Sequence, residues 1–454
     1  MSVSGNIKKH TRVILAGLQL PSDSDLEHAS SMSELERLVK TLGFETIGRV
    51  SQKSKYPAAG TIFGKGKLKE LASWTGGPGF VQGFKKSSTM ADDDEMQVDD
   101  EINLYPHQEN PDFRPATMVV LDCELTPTQL SNLEDATGVE VLDRSGVILE
   151  IFSRHAKSRE SRLQVEIAKL AYAAPRLRVS HLGGDRQGGG IGSKGAGETR
   201  AQLDKRRIRD RIAELRKQLK SIHAEQKTRR SKRSDIPLVA LIGYTNAGKS
   251  SLMRQLTQTN TEGEDKLFAT LDTTVRTLQP ETNPHILVSD TVGFIKKLPH
   301  DLVASFRSTL DEAYFASLLL FIVDGSDANF RSQLDVTKEV IREIGADENP
   351  SRLIINKVDL VNELDIKRIQ KEFPDAVLIS SIEKSDVKKV REIILGFFEE
   401  DMEDFEVLVP FTNGKMVGQV RARARIIKES YDELGTLLSV RAPKAVRNWI
   451  ETQL

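Results

Sequence analysis

Residues 236–256 read IPLVALIGYTNAGKSSLMRQL: an apolar run, a glycine-bearing loop and a short helical pattern in immediate succession. IPLVALI has the length and apolar content of a buried strand. The eight residues that follow, GYTNAGKS (243–250), fit G-x-x-x-x-G-K-[ST], and SLMRQL continues as a helix. Strand, loop and helix in that order are what this motif needs to hold phosphate. Its glycines let backbone N–H groups approach the oxygens, Lys249 neutralises the β and γ phosphates, and Ser250 ligates magnesium. Such a pattern also arises by chance in ordinary loops, so its weight depends on what accompanies it.

Three companions follow at the right order and spacing. DTVG, Asp290 to Gly293, comes just after the apolar HILVS. Its aspartate is placed to hold the magnesium shell, and the Gly293 N–H to contact a γ-phosphate. NKVD, Asn356 to Asp359, follows RLII. Guanine offers N1–H and its 2-amino group to the Asp359 carboxylate, whereas adenine has no such donor pair at that edge, so the site prefers GTP to ATP. Ser380 and Ser381 follow AVLI, where their backbone reaches guanine O6. The expected nucleotide contacts are Gly243, Asn246, Ala247, Gly248, Lys249, Ser250, Ser251, Asp290, Gly293, Asn356, Lys357, Asp359, Ser380 and Ser381.

A switch threonine must also reach the magnesium and the γ-phosphate. Thr270 in LFATLD is the choice here, with Thr273 and Thr274 close rivals because spacing alone leaves the register open. The metal set is then Ser250, Thr270 and Asp290, and the catalytic set Lys249, Thr270, Gly293 and Phe294. Asn246 is placed to seat potassium against the phosphates, or else is a simple turn asparagine. Phe294 stands where many GTPases carry a glutamine that orients the attacking water. A benzyl group makes no such hydrogen bond, so unassisted hydrolysis is expected to be slow.

Composition excludes several classes. The 454 residues are 38% hydrophobic and 29% charged, an ordinary soluble balance with room for roughly three domains. Cys123 is the only cysteine, which rules out a disulfide framework or a cysteine-held metal and fits a reducing compartment. The longest apolar run, around Leu318 to Val323, is far too short to span a bilayer. The absence of acid before Asp23 mildly resembles a transit peptide, but Arg12 to Leu18 already reads as a buried strand. The expectation is a cytoplasmic monomer.

Net charge is −1, yet the charges are segregated. Between Arg154 and Arg233 there are 23 Lys/Arg against 8 Asp/Glu, a net of +15 that leaves −16 for the rest. Charge separated on this scale implies a polyanionic partner, because neutralising phosphates releases counterions. In the same segment Leu163, Ile167, Leu170, Ala174 and Leu177 repeat at helical spacing, as do Ile208, Ile212, Leu215, Leu219 and Ile222. Two such seams make an antiparallel helical hairpin, with a second arm over about Thr199 to Lys232. Its tip, HLGGDRQGGGIGSKGAGETR (181–200), has eight glycines in twenty residues. Glycine gives up much backbone entropy on ordering, so a tip this rich in it is either a plain hinge or a functional loop.

Toward the N-terminus, strand-like runs at 12–18, 44–50, 117–122 and 139–142 alternate with helical patterns at Ser33–Leu42, Lys67–Trp74 and Thr128–Thr137. Between them, residues 75–114 are rich in Gly, Pro and acid, including ADDDEMQVDDE, and read as a disordered surface insertion.

With these residues in view, the chain resembles the HflX family of ribosome-associated GTPases. The likeness rests on LAGLQLP near the start, TIFGKGKLKEL (61–71), DRSGVILEIF (143–152), LQVEIAKLAYAAPRL (163–177), GGGIGSKGAGET (188–199), GYTNAGKSSL, LFATLDTT and DTVGFIKKLPHDLVASFRSTLDEA. It implies magnesium, GTP and GDP as ligands, and a hairpin that docks on ribosomal RNA of the large subunit. The resemblance further implies that GTP-bound protein splits stalled or idle ribosomes into subunits. The glycine-rich tip would lie close to RNA backbone, with Arg186, Lys194 and Arg200 on phosphates and Gly188, Gly189, Gly190 and Gly195 allowing the approach. A large-subunit assembly factor and a nucleotide-dependent rRNA chaperone or helicase are the alternatives. The insertion is longer, and the second serine of ISS replaces a more usual alanine. The tail FEVLVPFTNGKMVGQV, followed by a basic strand-like RARARIIKES, is similar to a small C-terminal domain found in part of the family.

The fold class read from all this is α/β and multidomain. A small N-terminal α/β domain covers 1–150, and a basic helical hairpin covers 151–235. A P-loop GTPase domain with a doubly wound sheet covers 236–400, and a small α+β domain covers 401–454.

Overall fold

A computed structural model describes residues 11–81, 114–176, 200–231, 236–259, 268, 274–296, 307–400 and 402–454. The glycine-rich tip, most of the acidic insertion, Thr270 and Thr273 lie outside the described residues. The chain divides into two compact units, Met1–Arg154 with Val165–Lys217, and His155–Gln164 with Gln218–Leu454.

The first unit is built on a parallel sheet of β1 (Arg12–Gln19), β2 (Glu45–Lys53), β3 (Met118–Leu121) and β4 (Glu140–Asp143), in the order β2-β1-β3-β4. Val13 to Ala16 and Val119 to Leu121 are wholly buried, which is why these strands read as continuous apolar runs rather than alternating ones. Helices α1 (Asp25–Thr41), α2 (Lys65–Thr75), α3 (Pro127–Thr137) and α4 (Arg144–His155) complete its layers. Apolar spacing places the start of α1 at Ser33, but the helix begins a full two turns earlier. Ser24 and Glu27 form a reciprocal capping box there, and the first turns are polar. Sequence periodicity misses α4 altogether, because Arg144 to Leu149 are buried in succession and only Ser153 and Arg154, near its end, are exposed.

Arg144 opens α4 and is 1% exposed. Its guanidinium donates to Asp122 Oδ1 at 2.6 Å and to the Glu34 carboxylate, joining the residue after β3 to α1 and α4. Arg144→Met is therefore expected to cost about 3–5 kcal/mol, since it strands two buried carboxylates without their cation. Urea unfolding measures this directly, and a loss under about 1 kcal/mol would show that those carboxylates find other partners.

The insertion is narrower than its composition implies. Thr75 closes α2, Gly79 N–H donates to Ala136 O at 2.9 Å, and Ala116 N–H donates to Trp74 O at 2.8 Å. Gly77 packs so closely on Thr137 that a Cβ would lie 2.2 Å from its carbonyl carbon. Residues 76–81 and 114–116 thus belong to the packed body.

Two further helices carry the basic segment, α5 (Arg159–Ala173) and α6 (Arg200–Ser231). With 32 residues, α6 is about 48 Å long. Leu215 is buried and Ile208, Ile212, Leu219 and Ile222 are half-buried, while most residues between them are exposed. Arg211 donates to Glu166 at 2.8 Å, and His223 lies 3.2 Å from Glu160. Numbers rise along one helix as they fall along the other, an antiparallel pairing. The first arm ends at Ala173, so Ala174 follows the helix and Leu177 lies outside the described residues.

In the second unit a six-stranded sheet has the order β10-β9-β8-β5-β7-β6. Its strands are β5 (Leu238–Gly243), β6 (Thr274–Thr277), β7 (Leu287–Asp290), β8 (Leu318–Asp324), β9 (Ser351–Asn356) and β10 (Val377–Leu378). All neighbours are parallel except β6 and β7. Around it run α7 (Lys249–Thr257), α8 (Arg307–Tyr314), α9 (Phe330–Glu343), α10 (Glu363–Glu372) and α11 (Lys384–Glu400). Val239, Leu241, Val288, Leu320, Ile322 and Ile354 share a core with Leu252 and Leu256 of α7 and Val390 and Ile394 of α11. The carboxyl ends of β5, β7, β8 and β9 bring Gly243, Asp290, Asp324 and Asn356 to one edge, where parallel α/β sheets bind ligands.

The chain closes with an antiparallel sheet ordered β11-β13-β12, formed by β11 (Met402–Pro410), β12 (Arg425–Tyr431) and β13 (Gly435–Pro443). Helices α12 (Gly414–Arg423) and α13 (Lys444–Gln453) accompany it. The basic run RARAR is split rather than strand-like throughout: Arg421 and Arg423 end α12, whose Met416 and Val420 are buried, and β12 starts at Arg425.

Candidate functional site

The phosphate loop spans the turn from β5 into α7. Gly248 adopts φ +95°, and a Cβ there would meet Asn356 Nδ2 at 2.1 Å. Lys249 is 5% exposed, and its ammonium donates to the carbonyls of Gly243 at 3.0 Å and Tyr244 at 2.7 Å. Burial pushes its pKa down to about 8, and the nearby Asp290 carboxylate pulls it partly back up. Ser250 Oγ donates to Asp290 Oδ2 at 2.6 Å, so the two oxygen donors assigned to magnesium stand together. Asn246 is exposed at the loop's apex with φ +61°. Ala247 is buried, and Ser251 Oγ accepts from Arg254 at 3.0 Å.

The DTVG segment runs alongside this loop. Thr291 Oγ1 donates to Leu241 O at 2.8 Å, Phe294 N–H to Gly243 O at 3.2 Å, and Thr245 N–H to Phe294 O at 2.8 Å. Tyr244 adds a fourth tie through its hydroxyl, which accepts from the Lys296 N–H. Gly293 is required by the closeness of this approach, since a Cβ would lie 2.9 Å from Thr245 Cα and 3.0 Å from Lys249 Nζ. The Phe294 ring is 4% exposed. Of the three threonines, Thr274 is described: it begins β6 directly opposite Asp290.

The residues assigned to the base converge by a separate route. Asn356 is fully buried at the end of β9, donating to Ala247 O at 2.8 Å and accepting from Ser381 N–H at 2.9 Å. It thereby pins the phosphate loop to the loop after β10. Ser380 Oγ donates to Asp359 Oδ1 at 2.6 Å, and Ser380 N–H donates to Asp386 Oδ2 at 2.9 Å. Lys357, at φ +62°, pairs with Asp324 at 2.6 Å. Sequence reasoning did not single out Tyr244, Asp324 or Asp386. Tyr244 lies inside the quoted motif at a position the motif leaves free, and the two aspartates sit on other elements with no motif of their own.

Of the proposed RNA contacts, Arg200 begins α6, while Arg186, Gly188, Gly189, Gly190, Lys194 and Gly195 lie outside the described residues. Among the described residues no helix is long and apolar enough to cross a membrane, and no cluster of three His, Cys, Asp or Glu side chains is arranged to hold a metal.

Three family models match. Residues 29–79 and 100–153 fit the one described as GTP-binding GTPase N-terminal, 155–233 GTP-binding GTPase Middle Region, and 238–357 50S ribosome-binding GTPase. The chain is 51% identical over 434 residues to a protein named GTPase HflX from Gluconacetobacter diazotrophicus, covering 95% of this chain and 96% of that one. A GTPase HflX from Caldanaerobacter subterraneus is 36% identical over 438 residues, with 96% and 91% coverage. The Escherichia coli protein of the same name is 31% identical over 437 residues, with 95% and 93% coverage.

Proposed function

We propose, from the premise that the chain belongs to the HflX family of GTPases, that it is a GTP-driven switch that binds the large ribosomal subunit and separates idle or stalled ribosomes into subunits. The observation that carries this reading is the direct hydrogen bonding of Gly243 and Thr245 to Phe294. Phosphate entering the loop must act at once on the segment that begins at Gly293, and that coupling is the requirement for a switch.

In this reading Lys249 neutralises the β and γ phosphates, Asp359 selects guanine, and Ser381 meets its O6. Ser250 and Asp290 fit magnesium, being hard oxygen donors already within 2.6 Å of each other, and a switch threonine, Thr270 or one of its neighbours, would complete the set. Bound there, the ion would offset the charge that develops on the phosphoryl oxygens. Asn246 is the candidate potassium contact. The twelve Lys/Arg and four Asp/Glu of α6 supply the charge for ribosomal RNA, and the glycine-rich tip with Arg186, Lys194 and Arg200 would extend it.

Lys249 makes GTP affinity pH-dependent. Its value in the free chain lies below the ordinary 10.4, so it sheds its proton as pH rises through about 8, and bound phosphate must restore the charge. The dissociation constant for GTP is expected to rise about fivefold between pH 8 and pH 9, with proton uptake on binding. Calorimetry in two buffers of different ionisation enthalpy reads both, and a constant affinity across that interval rules the effect out.

The splitting reading is tested by mixing the full chain with intact ribosomes and following light scattering and sedimentation. Separation is expected with GTP and with a non-hydrolysable analogue. GTP turnover, slow for the chain alone because Phe294 orients no water, is expected to rise roughly 10²-fold or more on ribosomes. Binding confined to precursor particles would replace splitting by an assembly role.

A further inference from the structure

Tyr244 occupies the first free position of the phosphate-loop motif and is 4% exposed. Its backbone does what any residue there could do. The carbonyl accepts from the Lys249 ammonium at 2.7 Å and from the Ala247 N–H at 3.3 Å, and a parallel bridge pairs the residue with Phe294. Its side chain adds something the motif leaves unspecified: the phenol oxygen accepts from the backbone N–H of Lys296. The ring thus carries contact with the phosphate loop two residues further along the DTVG segment than the bridge at Phe294 does. Ile295, between the two, is buried.

This placement bears on Gly293, immediately before the held residues. A Cβ there would lie 3.0 Å from Lys249 Nζ and 2.9 Å from Thr245 Cα, so the Gly293 backbone sits beside the cation assigned to the β and γ phosphates. GDP has no γ-phosphate and makes no demand on Gly293. GTP does, and the strength of that contact depends on where the segment stands beforehand. Backbone that is ordered before the ligand arrives loses no conformational entropy when the contact forms, whereas a loose segment does.

We propose that Tyr244 is a positioning residue that sets the preference for triphosphate over diphosphate: its hydroxyl keeps residues 294–296 docked on the phosphate loop, which holds the Gly293 N–H ready for the γ-phosphate. This rests on the reading of Gly293 as the γ-phosphate contact, and not on which partner the chain meets. The opposite role, a latch that GTP must break, fits the geometry less well. A latch would hold Gly293 away from Lys249, and here the two are neighbours.

The test is Tyr244→Phe in the full chain, which keeps the ring and removes the hydroxyl. Titrations use fluorescent GDP and a fluorescent non-hydrolysable GTP analogue, both with magnesium. Affinity for the triphosphate is expected to fall about 3- to 10-fold, the span of one hydrogen bond's net contribution, while affinity for GDP changes by less than about 1.5-fold. Retained GDP binding shows at the same time that the variant folds. Hydrogen exchange of the nucleotide-free chain, read by mass spectrometry on a peptide containing Lys296, should quicken in the variant. Equal weakening of both nucleotides would make Tyr244 a general support of the loop and overturns the proposal. Tighter triphosphate binding, the mark of a latch, does so too, as does an unchanged one. Gly293→Ala, whose methyl would crowd Lys249 and Thr245, separates the inference from the reading beneath it. That change is expected to weaken the analogue roughly tenfold or more, and more than it weakens GDP. If it does not, the γ-phosphate reading of Gly293 falls and the role of Tyr244 with it. If it does while Tyr244→Phe is silent, the role of Tyr244 alone falls.

Discussion

Replacing Gly248 with alanine is expected to raise the dissociation constant for GTP by roughly 10³-fold or more. At φ +95° the added methyl is strained before it touches anything, at a cost of about 1–3 kcal/mol. It would then stand 2.1 Å from Asn356 Nδ2. Asn356 has nowhere to retreat, being fully buried and bound to Ala247 O and Ser381 N–H. Pushing it away strands those two groups at about 1–3 kcal/mol each. Titration with a fluorescent GTP analogue checks the result, alongside circular dichroism to show that the sheet persists. Affinity within tenfold of wild type would mean the tie between the phosphate and base loops is dispensable.

Asp359→Asn is expected to lower GTP affinity by about 10²- to 10⁴-fold, because two hydrogen bonds to a carboxylate contribute about 1.5–3 kcal/mol each. The same change should admit XTP, whose 2-oxo group accepts from the new amide where guanine's amino group would clash donor to donor. This gain separates recognition from damage. A variant that merely misfolds loses both nucleotides, whereas one whose preference between GTP and XTP stays put would remove Asp359 from base selection. Ser380 Oγ, which donates to Asp359 Oδ1, is positioned to hold the carboxylate through the exchange.

The phosphate loop and its companions were legible because their chemistry is local: each motif packs several ligand groups into a few consecutive residues. Burial of the strands on both faces likewise left apolar runs that could be read one by one. What escaped was long-range or all-round. Glu34, Asp122 and Arg144 meet across 110 residues of chain, and no spacing rule links them. The first half of helix α4 is buried on every side, so its composition there shows no amphipathic stripe. Asp324 reaches Lys357 because adjacent parallel strands end side by side, a fact of sheet order rather than of sequence. The register of the switch threonines stayed open for a similar reason, although Thr274 sits across from Asp290 in the β6–β7 pair.

The seam at Gly77 and Ala116 bears on engineering. Thr137 and Ala136 hold one border of the acidic segment, Trp74 holds the other, and α2 carries both the Trp74 carbonyl and the turn into Gly77. Chain length between two clamped borders costs only slowly growing loop entropy. A fluorescent reporter grafted between residues 82 and 113 would thus be anchored to the N-terminal sheet at both borders, giving a labelled protein for single-molecule binding measurements.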